Sequence, residues 1–181
     1  MGSDKALLEL GGRSLLEHAL SMVRQVCPEV AIVGDPAKFG VYGSVIQDAY
    51  SGCGPLAGIH AALQHTSAEL NLVLAVDMPL VSPELLRLLV AAAEVSDALV
   101  TVPRTGRGFQ PLCAVYRPAF AALADKALRE GKYKIDALFS EVGTRMIEEG
   151  DLAGAGFTER SFFNVNTPDD LRFVRAESIK P

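Results

Sequence analysis

Asp77 closes the run Asn71-Leu72-Val73-Leu74-Ala75-Val76, and Pro79 follows two residues later. A run with almost no polar alternation reads as a strand buried on both faces, at the centre of a parallel α/β sheet. In open α/β sheets ligands sit outside the carboxyl ends of the strands, which aims Asp77 at a site. A carboxylate in that place commonly holds a hard cation such as Mg²⁺, which in turn holds phosphate oxygens. The plainer alternative is that Asp77 caps the turn that follows. Other polar residues sit at comparable junctions. Asp48 precedes the small-residue loop Ser51-Gly52-Cys53-Gly54, and Asn164 and Asn166 flank Val165 just before a helix start.

The elements around these residues alternate, as an α/β layer structure requires. Residues 14–26 predict a helix with Ser14 as N-cap and Leu15, Leu16, Ala19, Leu20, Val23 and Val26 on one face. Residues 30–33 predict a short buried strand and 45–46 another, followed by a helix over 56–65. Ser82 and Pro83 open a helix whose apolar face is Leu85, Leu86, Leu88 and Leu89. Residues 98–102 and 112–116 predict strands, joined by a loop over 103–111 that carries Arg104 and Arg107. Helices are expected over 118–128 and 135–142, and a last short strand over 162–165. Thr167-Pro168-Asp169-Asp170 opens the final helix as a Thr-x-x-Asp cap.

A chain of 181 residues fits one domain, and it carries no internal repeat or linker. Apolar residues make up 49% and charged residues 22%, the balance of a globular protein in water. The net charge of −5 argues against nucleic acid as a main partner. Cys27, Cys53 and Cys113 match neither a disulfide framework nor a zinc spacing, so a reducing cytoplasm is the default compartment. No apolar stretch approaches the ~18 residues of a membrane span. His18, His60 and His65 lack partner spacing and read as helix-face residues.

Alternating α/β domains normally open with a strand, yet Met1-Gly2-Ser3-Asp4-Lys5-Ala6-Leu7-Leu8 leads straight toward a helix. That segment resembles the tail of the nucleotidyltransferase signature Leu-Ala-Gly-Gly-x-Ser-x-Arg-Met-Gly-x-Asp-Lys-x-Leu-Leu. Four further blocks are Gly54-Pro55-Leu56-Ala57-Gly58-Ile59, Val76-Asp77-Met78-Pro79-Leu80, Gln110-Pro111-Leu112-Cys113 and Asn164-Val165-Asn166-Thr167-Pro168. Together, and in this order, they are similar to the molybdenum cofactor guanylyltransferases (MobA-type). The resemblance implies a Rossmann-like nucleotidyltransferase fold, a three-layer sandwich on a mixed, mostly parallel sheet. It also implies one domain over residues 1–181, expected to lack its first strand and most of the Gly-rich turn.

The activity implied is transfer of GMP from GTP to molybdopterin, with pyrophosphate leaving and Mg²⁺ required. Molybdoenzymes or their chaperones would be further partners; neither a membrane nor nucleic acid is expected, and oligomeric state is not readable. By resemblance Lys5 reaches the nucleotide phosphates, Asp77 is the Mg²⁺ ligand, and Asn166 completes the metal's surroundings or binds phosphate. Asp48 accepts from guanine N1–H and its exocyclic amine, and Gly54 lets backbone approach the nucleotide. Each has a structural alternative: a surface lysine at 5, an Asx turn at 48, helix-on-sheet packing at Gly54 and Gly58, a turn residue at 166. Arg104, Arg107, Lys132 and Lys134 either meet the molybdopterin phosphate or are plain surface charge. A related cytidylyl- or sugar-nucleotide transferase is the competing enzyme reading, although the serine-rich segment of the cytidylyl branch is replaced here by Gly54-Pro55-Leu56-Ala57-Gly58. A non-catalytic nucleotide- or molybdopterin-binding protein is the competing reading from outside the enzymes.

Overall fold

The computed structural model describes residues 5–48, 50 and 52–177. A 3₁₀ turn at Lys5–Leu7 leads into a small hairpin of β1 (Glu9–Leu10) and β2 (Arg13–Ser14). Helix α1 (Leu15–Val23) starts on a capping box, in which the Ser14 hydroxyl accepts from the Glu17 N–H and the Glu17 carboxylate accepts from the Ser14 N–H. Strand β3 (Ala31–Val33), the short helix α2 (Pro36–Phe39) and β4 (Ser44–Ile46) follow, with β3 and β4 pairing in parallel. Then come α3 (Pro55–His65), β5 (Asn71–Leu74), α4 (Pro83–Glu94), β6 (Val100–Thr105) and β7 (Gly108–Phe109). The chain continues through β8 (Cys113–Tyr116), α5 (Phe120–Arg129), β9 (Thr144–Ile147), α6 (Glu149–Gly154) and α7 (Pro168–Glu177).

The larger sheet runs β5-β8-β6, with β9 on the other side of β6 and β7 folding back on its end. Strands β5, β6 and β9 point one way and β8 is inserted between β5 and β6 in reverse, which gives the expected mixed sheet. Side-chain alternation along β8 separates two cores. Ala114 and Tyr116 pack with Leu56, Ile59 and Leu63 of α3 and with Phe120, Ala124 and Leu128 of α5. Cys113 and Val115 face the opposite way, onto Leu85, Leu86 and Leu89 of α4 and Leu152 of α6. Helices thus cover both faces, which is the three-layer arrangement.

Several expectations are corrected. The fully buried strand at the sheet centre is β8, at most 2% exposed at any position, and not the apolar run 71–76. Strand β5 is half-buried along its whole length because, among the described residues, only one of its two edges pairs with another strand. Strand β3 buries only Ile32, for the same reason. Residues 103–105 extend β6 and turn sharply into β7, in place of a long loop. The last strand expected over 162–165 is instead a 3₁₀ turn (Glu159–Phe162) followed by extended chain, and 135–142 forms only the 3₁₀ turn Asp136–Ser140. Strand β9 and helix α6 had no expectation at all. The pattern of β9 has three residues at least partly exposed and only Ile147 buried, too polar to announce a strand.

Alternation fixes which amides face the open edge of β5. The Ala75 N–H donates to Leu112 (2.7 Å), so Leu72 and Leu74 direct theirs away from β8. Hydrogen exchange followed by NMR should find the Leu72 and Leu74 amides exchanging at least about tenfold faster than that of Val73. Equal protection along β5 would show that another segment covers the edge.

Candidate active site

Three residues far apart in sequence meet at one end of the sheet. Lys5 lies in the Lys5–Leu7 turn, which is anchored by Ala6, a buried residue packed with Leu16, Leu20, Ile32 and Phe39. Its ammonium donates to the Asn166 side-chain carbonyl at 2.8 Å. Asp77 stands three residues beyond β5, and its backbone carbonyl accepts from the Val165 N–H at 2.8 Å. Val165 is fully buried, so that bond locks the segment carrying Asn166 against the one carrying Asp77. Asn166 is held from the other side by Asp170, whose carboxylate accepts from the Asn166 N–H (2.9 Å) and the Thr167 N–H (2.7 Å). The Thr167 hydroxyl accepts from the Asp170 N–H in return, at 3.1 Å.

Asp48 and Gly54 belong to a second loop, between β4 and α3. One Asp48 oxygen accepts from the Tyr50 N–H at 2.7 Å, so the Asx turn is formed. Gly54 sits at φ +72°, a conformation that only glycine adopts freely, and it leaves the α3 N-terminus without a side-chain cap. At Gly58 packing makes no demand for glycine, since a Cβ there would meet Val33 at an ordinary contact distance of 3.6 Å. Residues 1–4 and Ser51 lie outside the described residues, and with them the Asp4 beside Lys5.

Residues 1–145 match the MobA-like NTP transferase domain. This chain belongs to that family. It is 38% identical over 173 residues, 94% of its length, to a probable molybdenum cofactor guanylyltransferase of Pelotomaculum thermopropionicum, of which it covers 83%. The crystal structure of the molybdopterin-guanine dinucleotide biosynthesis protein A from Archaeoglobus fulgidus superposes with a TM-score of 0.84 at 29% identity, covering 98% of this chain and 91% of that one. The 2-C-methyl-D-erythritol 4-phosphate cytidylyltransferase from Thermus thermophilus shares the fold, with a TM-score of 0.69 at 23% identity over 96% of this chain and 93% of that one.

For a member of a nucleotidyltransferase family the Lys5–Asp77–Asn166 group has suitable chemistry. Burial lifts the Asp77 carboxyl above its ordinary range, and the Lys5 ammonium and its own backbone N–H hold it back only in part. A half-buried, incompletely compensated carboxylate is a fitting donor for Mg²⁺. That ion takes one or two protein carboxylates and completes its octahedron with water and phosphate. Among the described residues no group of three or more His, Cys, Asp or Glu side chains could hold a metal unaided. A cation at Asp77 would therefore need further ligands from outside such side chains, from a carboxamide, substrate or solvent.

The structure separates the other candidates from this group. Each of the four loop cations has an acidic partner: Arg104 with Glu148 (3.7 Å), Arg107 with Glu159 (2.6 Å), Lys132 with Glu130 (2.7 Å) and Lys134 with Asp136 (3.4 Å). All four side chains are mostly exposed, which fits surface charge. His18 and His65 bond to the backbone carbonyls of Leu10 and Ala61 and hold local structure. Asn164 donates to the Phe162 carbonyl. Sequence reasoning missed Asp170 as a site residue, though its place in the cap was visible, and it missed Tyr50 and Asp125 altogether.

The raised Asp77 carboxyl has a stability signature. A carboxyl held more tightly in the folded state binds more protons there, so stability falls as pH rises from its ordinary value of 3.8 through the folded value. Asp77→Asn removes that penalty. Its melting temperature should equal or exceed that of the parent at pH 7, with the difference closing toward pH 3.5. A variant that melts lower at neutral pH would make Asp77 a structural residue.

Proposed function

We propose that this chain transfers GMP from GTP to molybdopterin, and that it does so in the cytoplasm as a Mg²⁺-dependent, single-domain enzyme. The observation that carries the reading is the convergence of Lys5, Asp77 and Asn166 at the sheet end of a MobA-like NTP transferase. A phosphate oxygen of molybdopterin attacks the α-phosphorus of GTP and pyrophosphate leaves. Such a step asks for positioning and charge neutralisation more than for covalent chemistry by the protein. Lys5 binds the phosphates as a compact positive charge, and Asn166 aims it. Asp77, with Asn166 as the second protein oxygen, would hold Mg²⁺, which supplies further neutralisation of phosphate charge. Asp48 accepts from guanine N1–H and the exocyclic amine, and Gly54 brings the bare N-terminus of α3 to the nucleotide. No described helix is long and apolar enough to cross a membrane, and Cys27, Cys53 and Cys113 form no disulfide. Both facts suit a reducing, aqueous compartment.

The test is formation of the guanine dinucleotide from molybdopterin and GTP, followed by mass spectrometry. Asp77→Asn and Lys5→Gln should each lower the rate by about 10²–10³ or more, as loss of one electrostatic stabiliser does. Near-normal rates in Asp77→Asn would remove Asp77 from the site. GTP should be preferred over CTP and ATP, and Asp48→Asn should reduce that preference by roughly 1–3 kcal/mol, the worth of a two-point contact to a base edge. Equal thermal shifts of the unsubstituted protein with GTP and CTP would overturn the guanine assignment.

A further inference from the structure

The loop carrying Asp48 is clamped by a polar group that belongs to neither the loop nor the site. Two of its described residues, Gly52 and Gly54, have left-handed φ values of +78° and +72°, which glycine adopts without strain. Tyr50 supplies an anchor. Its backbone N–H closes the Asx turn on Asp48, while its ring packs edge-on against His60 of α3 at 5.4 Å. Its hydroxyl reaches α5, 75 positions along the chain, and donates to Asp125 at 2.5 Å. The other Asp125 oxygen accepts from Arg129 at 2.9 Å. Hydrogen bonds from Tyr50 and then Arg129 hold the Asp125 carboxyl below its ordinary range.

The arrangement is more elaborate than packing needs. A phenylalanine would fill the space of the Tyr50 ring, and the seam between α3 and α5 is built mainly on Leu56, Ile59, Phe120 and Ala124, with the buried His60 of α3 as a further polar neighbour, its Nε2 3.9 Å from Asp125. A carboxylate with directed partners fixes the angle and reach of the tyrosine, which dispersion contacts alone leave free to slide. The Tyr50 backbone N–H donates to the Asp48 side-chain carboxylate, so any freedom at Tyr50 is passed to the carboxylate expected to read the base.

We propose that Asp125 is a positioning residue for nucleotide selection: through Tyr50 it presets the Asp48 turn for a guanine-type base edge, a ring N–H with an adjacent exocyclic amine. This rests on the reading of Asp48 as the base-contacting carboxylate. Loss of the clamp therefore weakens binding of GTP while leaving the phosphate contacts of Lys5 and Asp77 in place. CTP, which does not present that pair of donors, loses little.

The experiment measures GTP and CTP affinity by titration calorimetry with Mg²⁺ on the full chain, for Asp48→Asn, Tyr50→Phe, Asp125→Ala and the Tyr50→Phe/Asp125→Ala double variant. Tyr50→Phe and Asp125→Ala should each weaken GTP by about tenfold with CTP nearly unchanged, and the double variant should be no worse than either. In turnover the same variants should raise KM for GTP with kcat within about threefold, since the reacting phosphates are untouched. A merely structural role would instead lower the melting temperature and weaken both nucleotides alike, which overturns the proposal. If Asp48→Asn erodes the GTP preference while the Tyr50 and Asp125 variants keep it, the proposal falls and the Asp48 reading stands. If Asp48→Asn leaves the preference intact, the Asp48 reading falls and takes the clamp's purpose with it.

Discussion

A carboxylate withdrawn from water must be compensated, and at Asp77 that compensation organises the site. Burial disfavours its charge, and Lys5 is the cation close enough to offset part of the cost. Lys5 in turn donates to Asn166, and the Asp77 backbone receives Val165, the neighbour of Asn166. Residues near 5, 77 and 166 are thereby tied into one triangle by two hydrogen bonds and one charge contact. The compensation is incomplete, since desolvation remains the larger influence on Asp77. An imbalance of this kind leaves room for a further positive charge, and a ligand that brings one gains the attraction the protein has left unspent.

The sheet explains why the triangle can sit where it does. Strand β8 carries alternate side chains into two separate cores, so the layers on both faces are fixed by a strand that supplies none of the three converging residues. Strand β5 lies beside it and ends at the loop bearing Asp77, and being less buried it leaves that loop partly accessible. Function is carried on the connections while the layers hold them, the usual division of labour in α/β proteins. Asp170 shows the division at small scale. One carboxylate caps α7 and, by the same hydrogen bonds, fixes the backbone that presents Asn166.

Much of this was legible because it is local or strongly patterned. Ser14, Ser82 and Thr167 announce helix starts through their own side chains, and the structure uses all three as caps. The Asp77 loop follows from the end of an apolar run. The position of that run in the sheet does not, because Cys113-Ala114-Val115-Tyr116 is equally apolar and periodicity cannot say which of two such strands is central. Strand β9 was illegible for the opposite reason: it pairs with β6 through backbone while exposing Arg145 and Met146, and nothing in its side chains requires a sheet. Tyr50 and Asp125 illustrate a third limit. Neither residue is unusual in its own neighbourhood, and the bond between them exists only because α3 and α5 pack together.

The two halves of the site are therefore held by separate sets of contacts. The proposed phosphate side is joined by one backbone bond, from the Val165 N–H to the Asp77 carbonyl, and by side-chain bonds from Lys5 to Asn166 and from the Asn166 and Thr167 N–H groups to Asp170. The proposed base side would be set by Tyr50, Asp125 and Arg129, linked in that order by side-chain contacts. A phosphate is the same on every nucleoside triphosphate, so a cradle that supplies charge and position without reading the base suffices for it. The base is what distinguishes one nucleotide from another, and discrimination needs donors and acceptors placed to a fraction of an ångström. On this proposal, placing that burden on side chains anchored in the helix layer would let base preference vary without disturbing the chemistry. This is one physical route by which a shared fold accommodates both guanylyl- and cytidylyltransferases.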